Sequence, residues 1–147
     1  MIYFYSYLFG WIIGLVVYLF NPQFGLVNSF LISHLVFTVG FFGLFNFVGH
    51  VILREKVARK IGWVSNGFQI ELGLVSLGIG ISGILCYWFR NDFWIATIIP
   101  FSFFLIGAGI LHILEMVKNK NFSPGNTWII LPDFLMPLTL IVLLLIT

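Results

Sequence analysis

The sequence predicts an all-α protein, a polytopic bundle of five transmembrane helices, and three observations carry that prediction. Charged residues make up 8% of the 147-residue chain and hydrophobic residues 61%, with a mean hydropathy of +1.10, whereas soluble domains carry about a quarter charged residues. The apolar residues fall into runs of about the 20 residues that a hydrocarbon core of about 30 Å requires, separated by short polar turns. Six of the seven Lys and Arg lie in two of those turns, and only Arg90 lies elsewhere. Little length is left for a soluble domain, so residues 1–147 read as one transmembrane domain. Four spans plus a re-entrant segment is the alternative.

The first span, about 4–20, lacks the basic flank and small-residue cleavage site of a secretory signal and is expected to be retained. Gly10 and Gly14 form a Gly-x-x-x-Gly pair that lets a neighbouring helix approach closely. Asn21-Pro22-Gln23-Phe24-Gly25 is a turn. The second span, about 26–53, is longer than a perpendicular crossing needs and should tilt, kink or emerge. Gly40, Gly43, Asn46 and His50 recur on it at three- and four-residue spacing, which predicts an inward face.

Between 54 and 60, Glu55 and Arg59 lie four apart, as in a short surface helix. Asn66 followed by Gln69 resembles a capping box at the start of the third span, about 68–89. Gly73, Ser76, Gly80 and Gly83 give that span a small-residue face. The fourth, about 93–117, contains Pro100, where a kink is expected, and ends with His112 and Glu115. The fifth, about 128–147, is interrupted near its start by Pro132 and Pro137. Tyr87, Trp88 and Trp94 around Arg90 form an aromatic belt at one interface.

Orientation follows from the basic residues. Arg54, Lys56, Arg59, Lys60, Lys118 and Lys120 against Arg90 alone assign the first group to the cytoplasm of a prokaryotic inner membrane. The N-terminus is then cytoplasmic and the C-terminus external. The same placement accounts for the net charge of +2 without any nucleic-acid partner. The expected surroundings are the lipid bilayer, with a second copy or a membrane-protein partner able to dock on the Gly-rich faces. A single cysteine, Cys86, excludes an intrachain disulfide and a Cys-based metal cluster.

At about 1.5 Å per helical residue, His50, Glu71, His112, Glu115 and Asp133 all come to the cytoplasmic level, from four helices. Intramembrane ionisable groups usually mark function. Together with Gln69 they are the candidate ligand-binding residues, and Asn46, Asn66 and Asn126 could support them from behind. His50, Glu71, His112 and Glu115 are the N/O donors for one divalent metal ion, if one binds. Each member also has a plain reading. Glu71 and Asp133 sit near helix N-termini, where the macrodipole favours a carboxylate, and a lone histidine is more often a packed polar group. His34, about 24 Å of helix from His50, is outside the cluster. Ferritin-like sites use paired Glu-x-x-His motifs, whereas this chain has one His-x-x-Glu in the reverse order. It lacks a Gly-x-Ser-x-Gly elbow and a His-Glu-x-x-His helix, so enzymatic activity stays open. The function classes are a membrane protein with a polar ligand pocket, a small transporter or proton-coupled subunit, and a structural subunit.

The run Ala58-x-x-Ile61-Gly62-Trp63, the motif Phe68-Gln69-x-Glu71-x-Gly73, His112, the Pro124-Gly125-Asn126 turn, and Asp133 with Pro137 resemble a family of small prokaryotic multi-pass membrane proteins of unknown function. The likeness covers roughly residues 50–140. It implies a small helical bundle and no particular activity.

Overall fold

The structure, a computed structural model, describes residues 2–147, and all regular structure among them is helical. Helix α1 spans Ile2–Phe20 and a 3-10 turn Pro22–Phe24; α2 spans Leu26–Ile52, α3 Arg54–Ile61, α4 Phe68–Leu85, α5 Asp92–Asn119, α6 Pro124–Thr127 and α7 Ile130–Leu145. Counting Pro124–Leu145 as one, five helices are long and apolar enough to cross a membrane. The five spans expected are thus present as five helices of spanning length and composition, as in a polytopic membrane protein.

The distribution of side chains matches a lipid solvent. Phe20, Phe103 and Leu145 are 87%, 79% and 78% exposed, while Ser29, His34, Thr38, Ser76 and Asn126 are fully buried. Backbone polar groups facing hydrocarbon must be satisfied within the helix, and polar side chains gather where other helices shield them.

Close backbone approach holds the bundle together. Gly40 and Gly43 of α2 meet Gly80 and Gly83 of α4, and a Cβ on Gly80 would lie 2.9 Å from the Gly40 carbonyl oxygen. Gly10 brings α1 onto His34 and Thr38 of α2, Gly14 brings it onto Phe30, and Gly109 of α5 accepts Asp133 and Phe134 of α7. These glycines thus serve contacts inside the chain. Dispersion contacts at such short range are what associates helices that gain nothing from leaving lipid.

Helix α2 is not uniform. It widens into π-helix at His34–Val39 and again at Val48–Ile52, closed by the Leu53 N–H donating to the Val48 carbonyl at 2.9 Å. Both histidines of α2 lie in these widened turns, which occur often at functional sites. The α5 helix runs through Pro100 without interruption. Helix α4 stops at Leu85, four residues before the expected end, because Cys86–Phe89 folds into a turn whose Cys86 carbonyl is taken by the Trp94 indole N–H at 2.9 Å.

The ends of the bundle differ. At one, which we call the basic end, α3 stops at Gly62, whose φ of 75° only glycine adopts freely. Gly62 N–H donates to the Arg59 carbonyl at 3.3 Å and Trp63 N–H to the Ala58 carbonyl at 2.9 Å, the paired bonds of a Schellman motif. The segment 120–127 packs on this turn, with the Asn121 amide donating to the Ile61 carbonyl at 2.8 Å. Ile-Gly-Trp therefore ends a helix and aims a tryptophan. At the other end the Arg90 guanidinium lies 4.6 Å over the Phe24 ring.

Candidate functional site

Helix α5 presents Phe101, Leu105, Gly109 and His112 on its buried face, and the last of these reaches the basic end. His112 is 8% exposed. Its ring stacks on Trp63, with centroids 5.1 Å apart and planes at 28°. Its Nδ1 lies 2.7 Å from Oδ1 of Asn126. The Asn126 amide nitrogen donates to two carbonyls, of His112 and Asn121, each at 3.1 Å. Turning the amide over would set its oxygen against both carbonyl oxygens, so its orientation is fixed. Nδ1 of His112 must then be the donor, and in the neutral ring Nε2 carries the lone pair.

His50 is held the opposite way. The Gln69 amide nitrogen is 3.3 Å from Nδ1 of His50 and 3.3 Å from the Arg54 carbonyl oxygen. A carbonyl can only accept, so the amide presents its NH2 group here and His50 Nδ1 accepts. The proton of neutral His50 therefore sits on Nε2. Among the described residues neither Nε2 has a hydrogen-bond partner, and neither is sealed from the surface. Both rings belong to the basic end, His50 in the last turns of α2 and His112 near the end of α5. One offers an acceptor and the other a donor. Beside them Trp63 Nε1 and Gln69 Oε1 are buried without partners.

A second polar tier lies about one turn deeper. Tyr3 Oη donates to Asn46 Oδ1 at 3.0 Å, Asn46 Nδ2 to Ser76 Oγ at 2.7 Å, and Ser76 Oγ to the Leu72 carbonyl at 2.7 Å. Asp133, 3% exposed, sits against Gly109, one turn above His112, and its Oδ2 has no partner. Tyr3 lies within its electrostatic reach.

The metal set expected from the sequence does not assemble. Among the described residues no three His, Cys, Asp or Glu side chains come together to hold an ion. Glu71 is exposed. At 100° per residue it points about 200° from Gln69, and Gln69 is the one that turns in. Glu115 stays near His112 but accepts a bond from Asn119 Nδ2 at 2.9 Å on the exposed side. The expected capping box does not close either. Asn66 Oδ1 accepts from the Phe68 N–H at 3.0 Å, but the Gln69 side chain is spent on His50 and Arg54. Asn126 bonds His112, whereas Asn46 bonds Tyr3 and Ser76 in the deeper tier.

A family model described as a family of unknown function (DUF6790) matches residues 1–147. The chain belongs to this family. The match takes in the first span and most of the second, which lay outside the stretch carrying the resemblance. No curated protein and no solved structure matches the chain.

Three members of the DUF6790 chain's polar tiers were not among the residues singled out: Trp63, Tyr3 and Asn121. Trp63 stood inside the Ile-Gly-Trp run, where the glycine signals a helix stop and the next residue is turned back over the helix. Asn121 and Tyr3 carry no comparable signal, because their partners are 60 and 43 residues away.

Proposed function

We propose that this is a multi-pass protein of the prokaryotic inner membrane, N-terminus cytoplasmic and C-terminus external, whose cytoplasmic end binds one small oxygen-bearing ligand between His50 and His112. The observation that carries the reading is the pair of imidazoles locked in opposite tautomers with both Nε2 atoms unengaged. A hydroxyl or a partly protonated oxyanion can donate to His112 and accept from His50 at once. Trp63 Nε1 and Gln69 Oε1 are buried without partners beside the two rings. A divalent ion fits less well, since His50 turns a proton toward it and too few other donors are near. Orientation rests on the six-to-one distribution of Lys and Arg. Thermal-shift titrations of the detergent-solubilised protein with inorganic phosphate, glycerol phosphate and Zn²⁺ test the reading. Stabilisation by a phosphate compound that disappears in both His50→Ala and His112→Ala supports it. A response to Zn²⁺ alone, or a phosphate response indifferent to both substitutions, contradicts it.

A second reading, a proton-coupled subunit, is favoured by the buried mid-span polar groups. His34 Nδ1 lies 2.8 Å from Thr38 Oγ1, its Nε2 is buried without a partner, and Tyr7 Oη lies 3.0 Å from Thr139 Oγ1. Proton flux in liposomes, abolished by His34→Phe, would favour it over simple ligand binding.

A further inference from the structure

Two clefts open at the Arg90 end, away from the histidines, and they share Arg90 and Phe24. One, of about 490 Å³, runs between α1 and α2 and is lined by apolar side chains such as Val17, Val36 and Phe37. The other, of about 430 Å³, has a mixed wall in which Asn28, Asn91, Asp92 and Thr147 join Phe24, Ile95 and Leu144. Both volumes fall in the range of small-molecule sites. The apolar cleft contains one discordant group. Ser33 is 2% exposed and its Oγ has no partner, whereas Ser29, Ser76 and Ser82 each bond the carbonyl four residues before. A buried hydroxyl without a partner costs free energy. Ser33 immediately precedes the first π-helical segment of α2, and it lines the cleft.

We propose that the two clefts form a single phospholipid site, occupied by a lipid with a primary-ammonium headgroup from the leaflet on the Arg90 side. Charge complementarity decides the occupant. Among the described residues Arg90 is the only Lys or Arg of this end and lines both clefts, where a guanidinium pairs with a phosphate. Asp92, in the mixed cleft, is the matching anion for an ammonium. The glycerol of phosphatidylglycerol offers Asp92 only neutral hydroxyls and no opposite charge, and a quaternary ammonium cannot donate a hydrogen bond to it. Below the phosphate, Ser33 Oγ donates to an ester carbonyl, which satisfies the orphan hydroxyl. An acyl chain then runs on along the apolar cleft toward Val36 and Phe37, about one helical turn beyond Ser33.

Native mass spectrometry of the protein released from nanodiscs containing equal parts of phosphatidylethanolamine, phosphatidylglycerol and phosphatidylcholine, with matched chains, tests this. One phosphatidylethanolamine should be retained in preference to the other two. Arg90→Gln should lower its retention about fivefold, the effect of one interfacial cation. Asp92→Asn should erase the preference over phosphatidylcholine while keeping a bound lipid. Val36→Trp should fill the apolar cleft and abolish retention. Ser33→Ala, a change too small to disturb folding, should lower retention about threefold, as expected for one hydrogen bond. Failure to retain lipid, equal retention of all three, a preference for phosphatidylglycerol, or wild-type retention in both Arg90→Gln and Ser33→Ala overturns the proposal.

Discussion

Replacing Gly80 by alanine adds one methyl group at the tightest crossing of the bundle, and the structure sets what that methyl meets. It would lie 2.9 Å from the Gly40 carbonyl oxygen and 2.9 Å from the Gly43 Cα. Ordinary contacts between heavy atoms are about 3.5–4.0 Å, so the two helices must part by roughly 0.6–1 Å. Both obstacles are backbone, and no side chain can rotate away. Overpacking of this kind costs about 1–3 kcal/mol, against which alanine regains about 0.5–1 kcal/mol of helix preference. The net expectation is a loss of about 0–2.5 kcal/mol from these two terms. Gly78, on the same helix, supplies the control, since a Cβ there meets nothing within 4 Å. Gly78→Ala should be neutral or stabilising. Thermal unfolding of the two variants in one detergent, followed by size-exclusion chromatography, compares them directly. If Gly80→Ala melts at or above Gly78→Ala, the face carrying Gly80 meets lipid and the crossing described here is wrong.

Three further substitutions have definite outcomes. Gly62→Ala forces an L side chain into the left-handed region and onto Ser123 and Asn121, so it should cost about 1–2 kcal/mol and loosen the 120–127 segment to proteolysis. Glu71→Gln changes an exposed carboxylate, and chemical denaturation should show a loss of no more than about 0.3–1 kcal/mol of helix-dipole stabilisation, with ligand response at His112 unaltered. Asp133→Asn removes an unpartnered buried carboxyl, so it should leave the melting temperature equal or higher; a sharp loss of stability would show that the carboxyl is already satisfied.

The sequence carried the number of spans and the depth of the polar groups, because both depend only on distance along a helix. Five spans followed from run length, and His50, His112 and Asp133 do lie toward one end. Depth alone did not separate partners from neighbours. Gln69, Gly73, Ser76, Gly80 and Gly83 follow one another at four- and three-residue steps and so share the inward face of α4, which leaves Glu71 outside it. That periodicity was in the sequence, and applying it would have removed Glu71 from the cluster. The division into two tiers was not legible. It depends on the π-helical widening of α2, which re-aims His50 relative to Asn46, and on contacts such as Tyr3 with Asn46 that no local pattern announces. Asn66 shows the same limit in small: its side chain accepts from the Phe68 N–H two residues on, but tertiary partners drew Gln69 away from the reciprocal bond.

The account's central claim is that Asn126 and Gln69 hold His112 and His50 in opposite tautomers, leaving an acceptor and a donor free at one end of the bundle. Side-chain nitrogen NMR of the ¹⁵N-histidine-labelled protein tests it most directly, with the three histidines assigned by His34→Phe, His50→Ala and His112→Ala. The prediction is a neutral His112 protonated on Nδ1, a neutral His50 protonated on Nε2, and loss of the His112 preference in Asn126→Ala. Both rings in the same tautomer, or a His112 spectrum unchanged by Asn126→Ala, would contradict it.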